Sequence, residues 1–205
     1  MPLHVPPAPA PALRSVLAAL GSPTAVRDAR TPALQSVQGP LSPELPLPVH
    51  VLSVLSPVTP ASLTGTAEAR TPQTRLVGWR FLIHSGDRAV AAADTMLTAD
   101  GWAFSRFFEG PYITATERAL RQAETLGTDF QPRLLSVPEL YMLTLWLHGD
   151  TEADASTGAP EPADILVPLA PAPPGFAAHR PHRVAELLPR IGLRLAPAPL
   201  LSTTA

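Results

Sequence analysis

The chain has 205 residues, a formal net charge of −2 and no cysteine. Its length fits one domain with extensions, and the near balance of 15 basic and 17 acidic residues argues against a nucleic-acid-binding face. The absence of cysteine excludes disulfides, thiol catalysis and cysteine-based zinc sites. All basic residues are arginine and asparagine is absent, which we attribute to the codon usage of a high-GC bacterial genome.

The amino terminus lacks a basic segment followed by a continuous apolar stretch, so it does not resemble a secretory signal. No apolar run approaches the roughly 18–20 residues that a membrane-spanning helix needs. We therefore expect a cytoplasmic protein that binds neither nucleic acid nor a membrane.

Prolines and aromatic residues divide the chain into three parts. Ten of the eleven aromatic residues lie between Trp79 and Trp146, whereas only three of the 27 prolines lie in 76–158. Aromatic rings build cores, and proline removes a backbone donor and ends regular ladders. The predicted domains are therefore a Pro/Ala-rich amino-terminal extension (1–48), a single folded domain (49–170) and a Pro-rich carboxy-terminal tail (171–205).

The amino-terminal extension contains one segment with helical periodicity. Apolar residues in 12–20 fall on one helical face, and Gly21 is a suitable stop. The prolines in 31–48 are too dense for a stable helix and predict extended or polyproline chain. We interpret that segment as a linker or a segment draped over the surface, with a ligand for an aromatic groove as the alternative. The β-branched run 49–55 predicts a strand that joins the core.

After a predicted polar loop at 56–74, three strands follow at 77–83, 88–97 and 102–109. Alternation places Val77 and Trp79 on one face of the first strand together with Phe81 and Ile83. The turns between the strands, 85–87 and 99–101, contain glycine where a positive φ would be needed. Short turns between alternating strands predict an antiparallel meander.

A helix is predicted after the meander, because Gly110 and Pro111 end the third strand. Thr114 and Glu117 fit a capping box at its start, and Gly127 ends it. A sheet with an aromatic-rich face must bury that face, so we expect this helix to cover it.

The apolar segment 140–148 is compatible with two structures. It is either a helix capped by 136–139 or a strand buried on both faces. The strand is favoured, paired with a second strand at 164–169 across an acidic, flexible loop (149–163). Beyond it, the tail contains a weak amphipathic helix that Pro189 interrupts, and the last ten residues are expected to be disordered.

These elements predict an α+β fold with a mostly antiparallel sheet of five or six strands. Its order is meander, helix and hairpin, with one principal covering helix and Pro-rich extensions.

Two histidine-containing motifs were weighed as reactive sites. His179 and His182 have a spacing that zinc can use, but no further ligand is nearby in sequence, and a solvated loop is the favoured interpretation. The segment 84–87 (His-Ser-Gly-Asp) is interpreted as turn chemistry, because a catalytic triad is defined by spatial geometry. The chain has no nucleophile-elbow, phosphate-loop or dinucleotide motif, so no cofactor or metal is expected.

Polar residues of the meander are the remaining candidates. Asp94 is predicted to pair with Arg80 and Arg106 on the flanking strands, because a carboxylate on a core-facing position needs partners. The aromatic residues in 107–112 are interpreted mainly as core, with a pocket at the strand–helix junction as the alternative. A ligand-binding site would use His84, Asp94, Arg106 and Glu109.

Two functions are consistent with these observations. The favoured one is a non-enzymatic interaction or accessory protein, which binds another protein or itself through a sheet edge or face and its Pro-rich flanks. The alternative is a small enzyme or small-molecule-binding protein with a site between sheet and helix. A pocket where two of the four site residues converge would favour the alternative, and a filled seam would favour the first.

Overall fold

The computed structural model describes residues 3–28, 31–53 and 73–195. Most of the predicted polar loop at 56–74, and the ten carboxy-terminal residues predicted to be disordered, lie outside the described residues.

Within the described residues, eight strands form one sheet and five α-helices accompany it. The strands are β1 (Ser42–Ser53), β2 (Gln73–Ser85), β3 (Arg88–Thr98), β4 (Gly101–Phe108), β5 (Gln131–Val137), β6 (Met142–His148), β7 (Ile165–Pro168) and β8 (His182–Arg183), and the α-helices are α1 (Ala10–Leu20), α2 (Pro23–Asp28), α3 (Pro32–Ser36), α4 (Pro111–Ala123) and α5 (Val184–Leu195). A short 3₁₀ turn, Pro138–Leu140, precedes β6.

The sheet consists of two antiparallel units joined by one parallel pair. Its strand order is β4-β3-β2-β1-β5-β6-β7-β8. Only β1 and β5 pair in parallel, with Val49 opposite Leu134 and Val51 opposite Ser136. The α+β class is therefore correct, but the predicted five or six strands are too few and the sheet is mixed. The strands that the sequence did not predict are β5, which contains Pro132 and the polar residues Gln131 and Arg133, and β8, which has only two residues.

The predicted meander is present as β2–β3–β4, with tight turns at 86–87 and 99–100. The prediction that Val77 and Trp79 lie on the same face of the strand is wrong. Between β1 and β2 the register shifts where Val49 faces Gly78 and His50 faces Leu76, which leaves Val77 unpaired. This bulge turns Val77 toward the opposite cluster from Trp79, because one extra residue reverses the alternation.

Strand β1 begins earlier than the sequence suggested, within the proline-dense segment. Proline is tolerated there because β5 pairs only with 49–51, so the stretch containing Pro43, Pro46 and Pro48 has no partner on one side. The prediction of extended chain throughout 31–48 is also wrong at α3. Pro32 opens that helix, at a position where its missing N–H costs nothing.

Helix α4 follows the meander as expected but begins differently. It starts at Pro111, and the Thr114 hydroxyl donates to the Pro111 carbonyl (3.1 Å) and caps nothing. The prediction of a capping box is therefore wrong. Gly110, with φ of 132°, turns the chain out of β4, so the helix begins at Pro111 and Thr114 lies within it. The helix ends at Ala123, before the predicted stop at Gly127.

Helices cover both faces of the sheet, so the prediction of a single principal covering helix is wrong. Helix α4 packs on one face, against residues such as Leu134 and Leu145. On the opposite face α1 packs on the meander side and α5 on the β5–β8 side. A sheet with apolar side chains on both faces needs a layer on each. None of the helices in the described ranges is long and apolar enough to cross a membrane.

The apolar segment around 140–148 forms strand β6, buried at every position, and β7 pairs with it antiparallel. The strand–loop–strand interpretation is therefore confirmed. The amphipathic tail segment forms α5, and the helix continues through Pro189, contrary to the predicted interruption. Its apolar side, which includes Leu187 and Ile191, is fully buried against the sheet. Packing of that side compensates the backbone bond that proline removes.

At Gly78 the β2 backbone lies close to the backbone of β3, and this allows a test of the fold. A Cβ at this position would overlap the Thr95 carbonyl oxygen. We expect Gly78→Ala to lower the free energy of unfolding by about 3 kcal/mol, since backbone must move. Gly192→Ala, in open space within α5, is the control and should raise it by about 0.5–1 kcal/mol. Chemical denaturation of both variants measures the difference, and equal stabilities would contradict this strand packing.

Candidate functional site

The four predicted site residues do not form one site. Asp94 and Arg106 lie opposite each other on β3 and β4. His84, at the end of β2, is buried, with Nδ1 3.6 Å from a Glu44 carboxylate oxygen. Glu109 accepts the Leu34 backbone N–H (3.0 Å) and so satisfies an amide in the first turn of α3. Only one pair among the four is brought together.

That pair belongs to the predicted Arg–Asp–Arg ladder, which the structure contains. Arg80 donates from Nε and Nη2 to the two Asp94 oxygens at 2.8 and 3.1 Å, and Arg106 Nε lies 3.6 Å from Oδ2. Both guanidinium groups also lie over the Phe108 ring, at 4.5 and 5.5 Å from its centroid. The three charged groups thus pair with one another, and the two guanidinium groups also contact an aromatic ring.

Apolar side chains fill the seam between α4 and the sheet. Ile113 packs with Leu82 and Ala92, and Ala119 and Leu120 pack with the second half of the sheet. Of the junction aromatics, Phe107 is buried in the cluster under α1. Apolar packing therefore occupies the space between α4 and the sheet at these positions.

The two histidine motifs lie at strand ends and in turns: His84 is buried at the end of β2, and His179 and His182 are partly exposed. His182 is in β8 and His179 in the turn before it, with φ of 60°. Burial lowers the pKa of both side chains, and nearby arginines lower it further. In the described ranges no three His, Asp or Glu side chains are grouped to hold a metal ion. Gly86 and Asp87 form the predicted turn after His84.

Sequence reasoning missed a buried carboxylate, Asp164, on the face opposite α4. It is 2 % exposed and accepts four hydrogen bonds. The donors are Trp146 Nε1 (2.7 Å), His148 Nδ1 (2.8 Å) and the backbone N–H groups of Glu161 and Gly149 (both 3.0 Å). Burial alone raises the pKa of Asp164, but these donors outweigh it and the pKa lies below its usual value.

A second missed residue is Arg133, which is fully buried on β5. Its guanidinium donates to the carbonyls of Thr157 (2.7 Å) and Asp154 (3.2 Å), and lies 4.8 Å from the Trp146 ring centroid. Gln131 supports it, accepting from Arg133 Nε (2.7 Å) and donating to the Thr151 and Ala153 carbonyls. These contacts bind the 149–164 loop to the sheet, so the loop predicted to be flexible is anchored along its length.

His50, on β1, completes this anchor. It is 1 % exposed, and Nε2–H donates to the Ala155 carbonyl (3.0 Å). Burial lowers the pKa of His50 to about 4, and the neighbouring Arg133 and His148 act in the same direction. The imidazole is therefore neutral at pH 7, with its proton on Nε2, the nitrogen that donates to the Ala155 carbonyl.

A signal for this polar cluster does exist in the sequence. Thr144, Trp146 and His148 alternate with leucines on β6, and Gln131 and Arg133 share one face of β5. Alternating polar residues inside a buried strand indicate a polar face that must find partners. What the sequence lacks is the partner, because most acceptors are loop carbonyls, which carry no side-chain signature.

The two edges of the sheet differ. β8 has only two residues and follows Pro181, features that protect an edge. β4 has eight residues and no proline, and among the described residues its main chain forms no backbone hydrogen bond beyond those with β3. At the adjoining hairpin end, Met96 is 46 % and Leu97 61 % exposed.

A cleft of about 600 Å³ lies on the face opposite α4, between residues 4–9 and residues 151–156, with Trp79 and Gln131 also lining it. It is separate from the four residues that the sequence singled out.

Comparison with known proteins identified no matching family model, no matching curated protein and no matching solved structure. Function therefore rests on the geometry of this chain.

The Asp94 ladder predicts an asymmetric response to substitution. Asp94→Ala leaves the Arg80 side chain, only 11 % exposed, without its carboxylate, and should cost about 2 kcal/mol of unfolding free energy. Arg106→Ala removes the longer contact of a side chain that is 68 % exposed, and should cost less than about 1 kcal/mol. Urea denaturation measures both, and wild-type stability of Asp94→Ala would show that the ladder contributes nothing.

The buried His50 predicts a loss of stability in mild acid. Its pKa is about 4 in the folded chain and 6.5 unfolded, so the unfolded chain binds more protons between those values. Unfolding free energy should fall as pH decreases from about 6.5 toward 4. His50→Gln should make the dependence of unfolding free energy on pH less steep. The contributions of His179 and His182, whose pKa values are also lowered, would remain.

His4→Gln, at a histidine whose side chain is 49 % exposed, is the control with which the slope of the His50 variant is compared. Denaturant midpoints across this pH range are the measurement. An unchanged slope in the His50 variant would contradict the buried neutral imidazole.

Proposed function

We propose that this protein is a non-enzymatic interaction protein that binds a strand of another polypeptide chain along the outer edge of β4. The supporting observation is that β4 is an eight-residue edge strand that contains no proline and is interrupted by a single register shift, where Ser105 has no partner on β3. Proteins block exposed edges with proline, charge, bulges or very short strands, because unpaired peptide groups recruit other chains.

Composition adds to this argument. The chain has 27 prolines, several of them within β1, yet none lies in β4. The single charged side chain of β4, Arg106, is directed to Asp94. An incoming strand would therefore meet an edge with free peptide groups and one charged side chain, Arg106, which shares the Asp94 carboxylate with Arg80.

The exposed apolar residues extend this surface. Met96 and Leu97 lie at the end of β3, opposite Ala103 and Trp102 of β4. Backbone pairing supplies affinity in strand addition, whereas side chains at alternate positions supply specificity. A partner strand with apolar residues at its end would bury these two side chains.

A small enzyme, or a small-molecule site between sheet and helix, has less support. His84 and Glu109 face different partners, Asp94 and Arg106 face each other, and the seam is filled. The groups that would act on a ligand are thus engaged in structural contacts.

A second copy of the chain is the first partner to test. Light scattering coupled to size-exclusion chromatography should show association that increases with concentration. The double variant Met96→Lys/Leu97→Lys should weaken it, because two charges would be brought to the edge. Leu193→Lys, a substitution at a 78 % exposed residue on α5, is the matched control and should not.

Hydrogen exchange identifies the surface directly. Amides of β4 should be protected in the associated form and exchange faster in the double variant. A wild-type chain that remains monomeric at all concentrations, with β4 amides that exchange at the same rate throughout, would contradict self-association through this edge.

A further inference from the structure

The cleft between residues 4–9 and 151–156 is a second surface, on the face opposite α4. Its two walls differ chemically. One is the amino-terminal arm, in which Pro6, Pro7 and Pro9 present apolar rings. The other is the start of the 149–164 loop, whose acidic side chains Glu152 and Asp154 line the cleft.

Both walls are attached to the sheet. The arm is attached at Leu3, which bridges to Phe130, and by the His4 N–H, which donates to the Phe130 carbonyl (2.8 Å). The loop wall is fixed by Gln131 Nε2, which donates to the Thr151 and Ala153 carbonyls at 3.1 and 2.8 Å. The loop wall is therefore held in place before a ligand binds, whereas the arm is held at its Leu3 and His4 end.

The loop itself carries charge of one sign, and the buried Arg133 lies against it. Residues 149–164 contain five acidic residues and no basic one. The buried Asp164 is engaged by its four donors, which leaves four exposed carboxylates, two of them in the cleft. Hydrogen bonds from the Ser156 backbone and hydroxyl, followed by attraction to Arg133, lower the pKa of Asp154 and keep it ionised.

Trp79 adds an unpartnered polar group at the same place. It lines the cleft and is 3 % exposed, and its Nε1–H has no hydrogen-bond partner among the described residues. A buried donor without an acceptor is uncommon in folded proteins. A small displacement of the arm would open this nitrogen to a ligand carbonyl, since the nitrogen itself is covered in the free chain.

We propose that this cleft binds a small organic cation, an ammonium or guanidinium group on a short body that carries a carbonyl. The cation faces Glu152 and Asp154, the apolar part of the body lies against the prolines, and the carbonyl accepts from Trp79 Nε1. This binding is independent of the β4 edge, which lies on the outermost strand of the sheet.

The test uses Nα-acetyl-L-arginine amide (here arginine amide) as the probe. Its neutral counterpart of the same shape is Nα-acetyl-L-citrulline amide (here citrulline amide), since acetylation removes the charge of the α-amino group in both. The full chain labelled with ¹⁵N is titrated with each at low salt, and the indole N–H signal of Trp79 is identified from the spectrum of Trp79→Phe. Arginine amide should shift that signal in a saturable way, and added salt should weaken the effect. Citrulline amide should not shift it.

Two substitutions on the same loop distinguish binding within the cleft from attraction to the acidic loop as a whole. Glu152→Gln should weaken binding about two- to fivefold, as expected for one partly exposed ion pair. Glu161→Gln removes an equal charge from an exposed residue outside the cleft lining and should leave binding unchanged. Both are surface changes that should preserve folding.

Three results would overturn the proposal. They are no saturable shift with arginine amide, an equal shift with citrulline amide, and equal weakening by the two glutamate substitutions. The last would show attraction to the acidic loop as a whole rather than to the cleft.

Discussion

The parallel pairing of β1 with β5 is the constraint on which the architecture depends. Only three residue pairs, from Val49 to Val51 on β1, join two antiparallel units of four strands each. Parallel neighbours need a crossover connection, and here the chain passes through β4 and α4 to reach β5. Because β1 and β5 occupy the centre, the outer strands are fixed as β4 and β8, and only β4 is long.

The same pairing determines the polar core of the opposite face. It brings His50 of β1 beside Arg133 of β5 and Trp146 of β6, in the region between the clusters under α1 and α5. A loop covers this region instead of a helix. Buried Arg133 donates hydrogen bonds to carbonyls of that loop, and buried Asp164 accepts hydrogen bonds from its N–H groups. These bonds offset the free-energy cost of burying the two charges. The anchored loop then forms one wall of the cleft.

Several elements could be predicted because their signals are local. The three strands of the meander alternate with a period of two and are separated by turns with glycine, so Trp79 and Phe81 were placed on one face correctly. Asp94 was matched to Arg80 and Arg106 because adjacent antiparallel strands fix the register between them. The contact of Glu109 with Leu34 could not be predicted, since the two residues are 75 positions apart and nothing local links them.

The α+β class, the meander and the strand–loop–strand unit follow from local sequence, since turn chemistry and hydrophobic period act over a few residues. Other features depend on contacts between distant segments. The prolines of β1 are tolerated because β5 leaves one side of that stretch unpaired. Helix α5 continues through Pro189 because its buried side packs on the sheet. Tertiary structure also decided which strand became the open edge and which loop carbonyls received Arg133. Those outcomes depend on pairing between distant segments, whose free energy comes from burial and hydrogen bonds that form only once the chain has folded.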